Sequence, residues 1–212
     1  QDDTIASNAG SAYLFLGSNL TGDVSLSDAY ATFRGENTND YAGFSLDGNG
    51  DFNGDGIPDI AIGAYSEDSI ANDQGMVYLI LGSNSMAGTY PLGLADARFT
   101  GVNHDDLAGY DLSFVGDTNG DGTDDLLIGA YGEDSNGNAS GATYLLQGPY
   151  SGDLSLQFAN ATFRGEGTNH FAGQRVSGAG DFNGDGNADL LIGAPGENTE
   201  GNNTGSAYVI FS

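Results

Sequence analysis

The chain has 212 residues, enough for one large domain or two small ones, and a formal charge of −26, with 30 acidic residues against four arginines and no lysine. That balance excludes nucleic acid as a partner, because phosphate contacts need clustered cationic side chains, and it disfavours anionic membrane surfaces. The lack of cysteine excludes disulfides and thiolate metal sites, and no apolar run approaches the roughly 20 residues that cross a bilayer as a helix.

In chain order, Gln1 opens the sequence without a Met and without a recognisable leader, as in a processed secreted chain or a trimmed one. Strands are predicted at Ser11–Gly17 and Ala31–Gly35. The first complete unit follows, with strands at Gly43–Gly48, Asp59–Tyr65, Met76–Gly82 and Ala97–Gly101. Its Asp-rich segment DFNGDGIPDIAIGAYSED starts at Asp51 and aligns without gaps with DTNGDGTDDLLIGAYGED at Asp117 and DFNGDGNADLLIGAPGEN at Asp181, offset by 66 and 64 residues. Upstream of each lies ATFRGENTNDYAG from Ala31, ARFTGVNHDDLAG from Ala97 or ATFRGEGTNHFAG from Ala161. Downstream comes a tyrosine strand at Gly75, Gly141 and Gly205, and a fourth copy at Gly10 precedes the first unit. Internal repetition on this scale marks an array of similar supersecondary units.

Disorder, the other reading of an acidic chain, does not suit 11 Tyr, 11 Phe and recurrent apolar runs. No segment keeps helical apolar spacing for three turns, and 36 glycines disfavour long helices. The expected fold is all-β, with β-propeller-type blades of four antiparallel strands. One domain over 1–212 divides into a partial blade at 1–35, repeats at 36–101 and 102–165, and an incomplete repeat at 166–212.

The loops carry the chemistry. Asp51, Asn53, Asp55 and Asp59 alternate oxygen-bearing side chains around a tight turn, as the first half of an EF-hand loop does. Gly56 permits the left-handed turn, and Ile57 is placed to offer its main-chain carbonyl. The second loop supplies Asp117, Asn119, Asp121, Thr123 and Asp125, and the third Asp181, Asn183, Asp185, Asn187 and Asp189. An EF-hand needs Glu at its twelfth position, where this chain has Ile62, Ile128 and Ile192, so each site closes at the ninth. Hard oxygen donors select Ca²⁺ over zinc or copper, giving three expected calcium sites. A plain hairpin turn is the alternative for one such loop, but not for three in register. Carboxylates about 5 Å apart repel by roughly 3 kcal/mol per pair at an effective dielectric near 20, and a cation reverses that sign.

The order of these motifs resembles the FG-GAP repeat, known from the propeller of integrin α subunits. Gly193-Ala194-Pro195 matches the second half of the name, with Gly-Ala-Tyr at Gly63 and Gly129; Tyr41-Ala42-Gly43, Leu107-Ala108-Gly109 and Phe171-Ala172-Gly173 are looser versions of the first. The resemblance implies that the Asp-rich loop joins the first two strands of a blade and binds Ca²⁺. It also implies a secreted or cell-surface role in adhesion, or a module beside an enzyme domain. Three loops are too few for a closed ring of about four to eight blades. Completion by self-association, a filament, or a longer array are the expected alternatives.

Other polar residues are set aside. His104 and His170 fall in different repeat columns and read as loop residues. Glu67-Asp68, Glu133-Asp134 and Glu197-Asn198 read as a solvated rim, with a weak second cation site as the alternative. Arg34 and Arg164, beside Phe33 and Phe163, read as blade-packing residues. Sequons at Asn19, Asn138, Asn160 and Asn202 permit glycosylation. No nucleophile elbow or phosphate loop is present. The function expected is therefore non-catalytic: a calcium-stabilised extracellular adhesion or assembly module, or else a filament or surface-layer subunit, or the accessory propeller of a secreted hydrolase.

Overall fold

A computed structural model describes residues 7–17, 20–68, 72–83, 85–198 and 204–212, so the sequons at Asn19 and Asn202 lie outside the described residues. Fifteen strands are found there, in four sheets. The first sheet joins β1 (Ser11–Leu14), β2 (Ala31–Arg34) and β6 (Gly88–Pro91). The second runs β3 (Ser45–Gly50), β4 (Asp59–Ala64), β5 (Met76–Ile80), β7 (Ala97–Thr100) and then β11 (Gly152–Ser155) at its outer edge. The third is β8 (Asp111–Gly116), β9 (Asp125–Ala130), β10 (Ala142–Leu146) and β12 (Ala161–Arg164). The last holds β13 (Arg175–Gly180), β14 (Asp189–Ala194) and β15 (Ser206–Ile210). Among the described residues no sheet closes on itself.

Each blade is an antiparallel meander whose register follows its apolar residues. Ile62 pairs with Leu46 on one side and Tyr78 on the other, and Ile128 sits in the same way between Leu112 and Tyr144. The middle strands of the second and third sheets are packed between neighbouring blades on both faces. Their sequences accordingly read as continuous apolar runs, and every residue of β5, β9 and β10 is buried. Phe52, Leu79, Phe99, Leu126, Ile128, Tyr144, Leu146 and Leu156 fill the core between the second and third sheets.

Two strands and three turns were not anticipated. Gly88–Pro91 and Gly152–Ser155 each lie parallel on the outer strand of the preceding blade, β2 and β7 respectively. With few apolar residues they have no strand pattern of their own, and tertiary pairing decides their state. Arg98 on β7 clamps Asp153 on β11 with bonds of 2.8 and 2.5 Å, although the pair is too exposed to add much stability. Short 3-10 turns at Leu26–Asp28, Leu92–Leu94 and Leu156–Phe158 precede the outer strands, and the last two bury Leu92 and Leu156.

Blades are stitched at one rim by parallel bridges, Gly10 to Ala42, Gly75 to Ala108 and Gly141 to Ala172. A Cβ at any of these three glycines would fall 2.2 Å from the facing alanine carbonyl, and each glycine has φ near +80°. Only glycine meets both demands.

Core packing makes a direct prediction. Leu126→Ala, at a site with no exposure, should lower unfolding free energy by about 2–5 kcal/mol in a urea titration, whereas Leu94→Ala, at 78% exposure, should change it by less than about 0.5 kcal/mol.

Candidate functional site

Each Asp-rich loop joins the inner strand of a blade to the second strand, and a register shift in the hairpin releases the chain into the turn. Within the first loop, the two oxygens of Asp51 accept from Asp55 N at 3.0 Å and Gly56 N at 2.8 Å. Asn53 Oδ1 accepts from Asp55 N at 2.9 Å, and Asp55 Oδ1 from Ile57 N at 2.8 Å. Asx turns of this kind curl the backbone around its own side chains. The second and third loops repeat the pattern. Asp117 accepts from Gly122 N at 2.8 Å, and Asp181 from Gly186 N at 3.0 Å. Asp121 and Asp185 each accept, at 2.9 Å, from the amides of Thr123 and Asn187.

The ninth residue behaves differently. Asp59, Asp125 and Asp189 have no exposure. Asp59 accepts from Phe52 N at 2.9 Å and Gly82 N at 2.8 Å; Asp125 from Thr118 N at 2.9 Å and Gly148 N at 3.0 Å; Asp189 from Phe182 N at 2.9 Å and Ser212 N at 3.1 Å. Each thus ties the loop base to the chain just beyond the third strand. Burial raises the carboxyls of Asp59 and Asp125, and these amides pull them back. The exposed carboxyl of Asp121 is lowered by the Thr123 hydroxyl and amide, and that of Asp185 by the Asn187 amide and the Asn183 side chain.

All the site residues expected from sequence therefore gather loop by loop. Among the described residues, however, no three Asp, Glu or His side chains converge into a ready-made ion cage. The carboxylates face main-chain N–H groups, which offset much of the repulsion expected between them, so the loop tolerates its own charge better than a bare carboxylate cluster would. A carboxylate oxygen that accepts one amide retains a lone pair, and each loop presents Asp, Asn, Asp and Asp side chains with a carbonyl at its seventh residue. That all-oxygen donor set fits a hard divalent cation, which would supply charge neutralisation and a cross-link, not chemistry on a substrate.

At the far end of β4, roughly 20 Å along the strand, a second polar group repeats. Contrary to expectation, Glu67, Glu133 and Glu197 are not a solvated rim but are buried, while the neighbouring Asp68, Asp134 and Asn198 are exposed. Glu133 accepts from Arg164 Nε at 3.4 Å and from Ser135, and Glu197 from the Tyr208 hydroxyl. Asp106 accepts from Asn103 N at 2.7 Å and Val102 N at 3.2 Å, and Asp40 from Asn37 N at 3.1 Å. Burial pushes Asp40 and Asp106 up to about 6, with the adjacent Glu67 and Glu133 raising them further. Burial likewise raises the phenols of Tyr78 and Tyr144. The signal for this group was present in the repeat columns of Glu after Gly-Ala-Tyr or Gly-Ala-Pro and of Tyr in the third strand. His104 has an ordinary loop role, its Nδ1 accepting from Asn72 N at 3.1 Å.

The same rim carries a row of rings. Phe44 packs on Tyr65 and Tyr110 at 4.5 and 4.8 Å between centroids, Tyr110 on Tyr131 at 4.5 Å, and Tyr131 on Phe171 at 6.0 Å. Tyr41, Leu107 and Phe171 all hold φ between +53° and +58°, an uncommon conformation for bulky residues that the blade stitching enforces.

Comparison with known proteins agrees with the repeat frame. The FG-GAP repeat model matches residues 47–80, 108–146 and 172–210. The chain is 33% identical over 199 residues to integrin alpha-PS5 of Drosophila melanogaster, covering 89% of this chain and 18% of that protein. It is 30% identical over 175 residues to integrin alpha-5 of Xenopus laevis, covering 79% and 16%. A third relative is the phosphatidylinositol-glycan-specific phospholipase D of Dictyostelium discoideum, 34% identical over 209 residues, covering 92% and 21%. The chain thus spans about a fifth or less of the length of these relatives. No helix among the described residues is long and apolar enough to cross a membrane.

The buried acids predict a pH dependence. Asp40 and Asp106 hold a proton to about pH 6 in the fold but lose it near 3.8 when unfolded, so their protonated form stabilises the fold fully below pH 4 and that contribution fades as pH rises to 6. In the Asp40→Asn/Asp106→Asn double variant, the fall in stability between pH 4 and 6 should be shallower than in the parent, as measured by urea titration at each pH.

Proposed function

The chain belongs to the FG-GAP repeat family, and we propose that it is a non-catalytic, calcium-binding set of propeller blades serving extracellular adhesion or protein assembly. Three loops that repeat one hydrogen-bond scaffold and one oxygen donor set carry this reading. Asp51, Asn53, Asp55, Asp59 and the Ile57 carbonyl would hold the first ion. The second falls to Asp117, Asn119, Asp121, Asp125 and the Thr123 carbonyl, and the third to Asp181, Asn183, Asp185, Asp189 and the Asn187 carbonyl. Integrin alpha relatives support a cell-surface or secreted setting and a protein partner. The ring-lined rim opposite the loops, where Phe44 is 49% exposed, is the surface for that partner.

Self-association is the second reading, and the fourth sheet favours it. Leu191 and Val209 are 37% and 39% exposed, whereas their repeat counterparts Leu127 and Leu145 pack against the next blade. Another blade belongs on that face, from a longer chain or from a second copy. The third reading, an accessory propeller of a secreted hydrolase, draws on the resemblance to the phospholipase D.

Thermal unfolding in chelator and in millimolar calcium tests the first reading. Ions at about 100 times their dissociation constant stabilise by about 2.7 kcal/mol per site, so the melting temperature should rise by more than 5 °C, roughly. The triple variant Asp55→Ala/Asp121→Ala/Asp185→Ala should lose the rise. An unchanged melting temperature in the parent would count against calcium. Light scattering in calcium separates a fixed mass from open-ended growth.

A further inference from the structure

The three loops are not separate appendages. They lie in a row, each against the next. A Cβ built on Gly54 of the first loop would sit 3.1 Å from the Thr123 methyl of the second, and one on Gly120 of the second 3.5 Å from Asn187 Oδ1 of the third. Main-chain bonds join them. Asp124 N donates to the Asp51 carbonyl at 3.0 Å, and Ala188 N donates to the Asp117 carbonyl at 2.8 Å. In both cases the acceptor belongs to the first ligand residue of one loop, and the donor directly precedes the closing aspartate of the next.

The first junction has a second bond. Asp51 N donates to Asp124 Oδ2 at 2.8 Å, so Asp124 grips both sides of the Asp51 peptide. At the matching position of the third loop, Ala188 has no acceptor to offer. The first loop has Pro58 there, which lacks an N–H for any loop on its other side.

Resting on the calcium reading above, we propose that Asp124 couples the first two cation sites, so that an ion in the first loop strengthens binding in the second. The physical reason is shared geometry. Whatever fixes Asp51 as a ligand also fixes the Asp124 peptide, and Asp125, the closing residue of the second loop, is the next residue in the chain. Ordering one site therefore lowers the ordering cost at the other, and the effect must run both ways. The single clasp between the second and third loops couples them less. Asp124 acts here as a positioning residue and not as a ligand.

Calcium titration calorimetry on the chelator-treated full chain tests this, in an Asp185→Ala background so that only the first two loops report. Adding Asp55→Ala, which disables the first loop, should weaken binding to the second by about fivefold. With Asp124→Ala also present, the same Asp55→Ala change should alter the second site by less than about twofold, closing a double-mutant cycle. Asp124→Asn, which keeps an oxygen to accept from Asp51 N, should retain most of the coupling. Far-UV circular dichroism checks that the variants fold.

A second readout leaves position 124 intact. In Asp121→Ala, calcium entering the first loop should still slow hydrogen exchange at the amides of Gly120 and Gly122; unchanged exchange there overturns the coupling. Two equal and independent sites in the Asp185→Ala protein, or coupling undiminished by Asp124→Ala, overturn it as well while leaving the calcium reading standing. Absence of any calcium binding by the parent overturns both.

Discussion

A carboxylate with no exposure must be given hydrogen-bond donors, and the way Asp59, Asp125 and Asp189 meet that demand organises the molecule. Each takes one amide from the start of its own loop and one from the chain beyond the third strand of its blade. The loop, the second strand and the end of the third strand are thereby locked together at one point. Around that point the earlier ligand residues curl through Asx turns, with their remaining lone pairs free for a divalent ion. Loop shape is thus supplied by main-chain donors, and a cation held there would add charge neutralisation and stiffness to a turn already close to its final form.

Stacking of blades is the second constraint. A single meander of short strands cannot cover two apolar faces, so each blade depends on its neighbours. Three devices join them: the glycine-to-alanine bridges at one rim, the parallel strands β6 and β11 laid across the preceding blade, and the loop-to-loop clasps at the other rim. The last of these links neighbouring Asp-rich loops to blade packing. The relatives, of which this chain matches about a fifth or less, are much longer proteins.

Much of this was legible in the residues. The strands around Asp59, Met76 and Ala97 were placed within a residue or two of where they lie, because the repeat aligns three independent copies of each apolar run. The turns of the Asp-rich loops were legible for the same reason, since Asp-x-Asn-x-Asp-Gly encodes its own Asx turns. β6 and β11 were not, because Gly-Thr-Tyr-Pro and Gly-Asp-Leu-Ser become strands only by pairing across blades. Burial of Glu67, Glu133 and Glu197 was not legible because a charged pair in a loop ordinarily faces water, and the partners that help Glu133 and Glu197 tolerate it, Arg164 and Tyr208, come from other strands. Asp124 drew no notice, since its partner, the Asp51 amide, lies 73 residues away.

The central claim is that each Asp-rich loop takes one calcium ion. Native mass spectrometry of the folded chain in calcium, after exhaustive chelation, counts those ions directly. Three per chain, falling by one with each of Asp55→Ala, Asp121→Ala and Asp185→Ala, is the expected result. A fully folded chain that carries none at millimolar calcium, or one whose count ignores these substitutions, would contradict it.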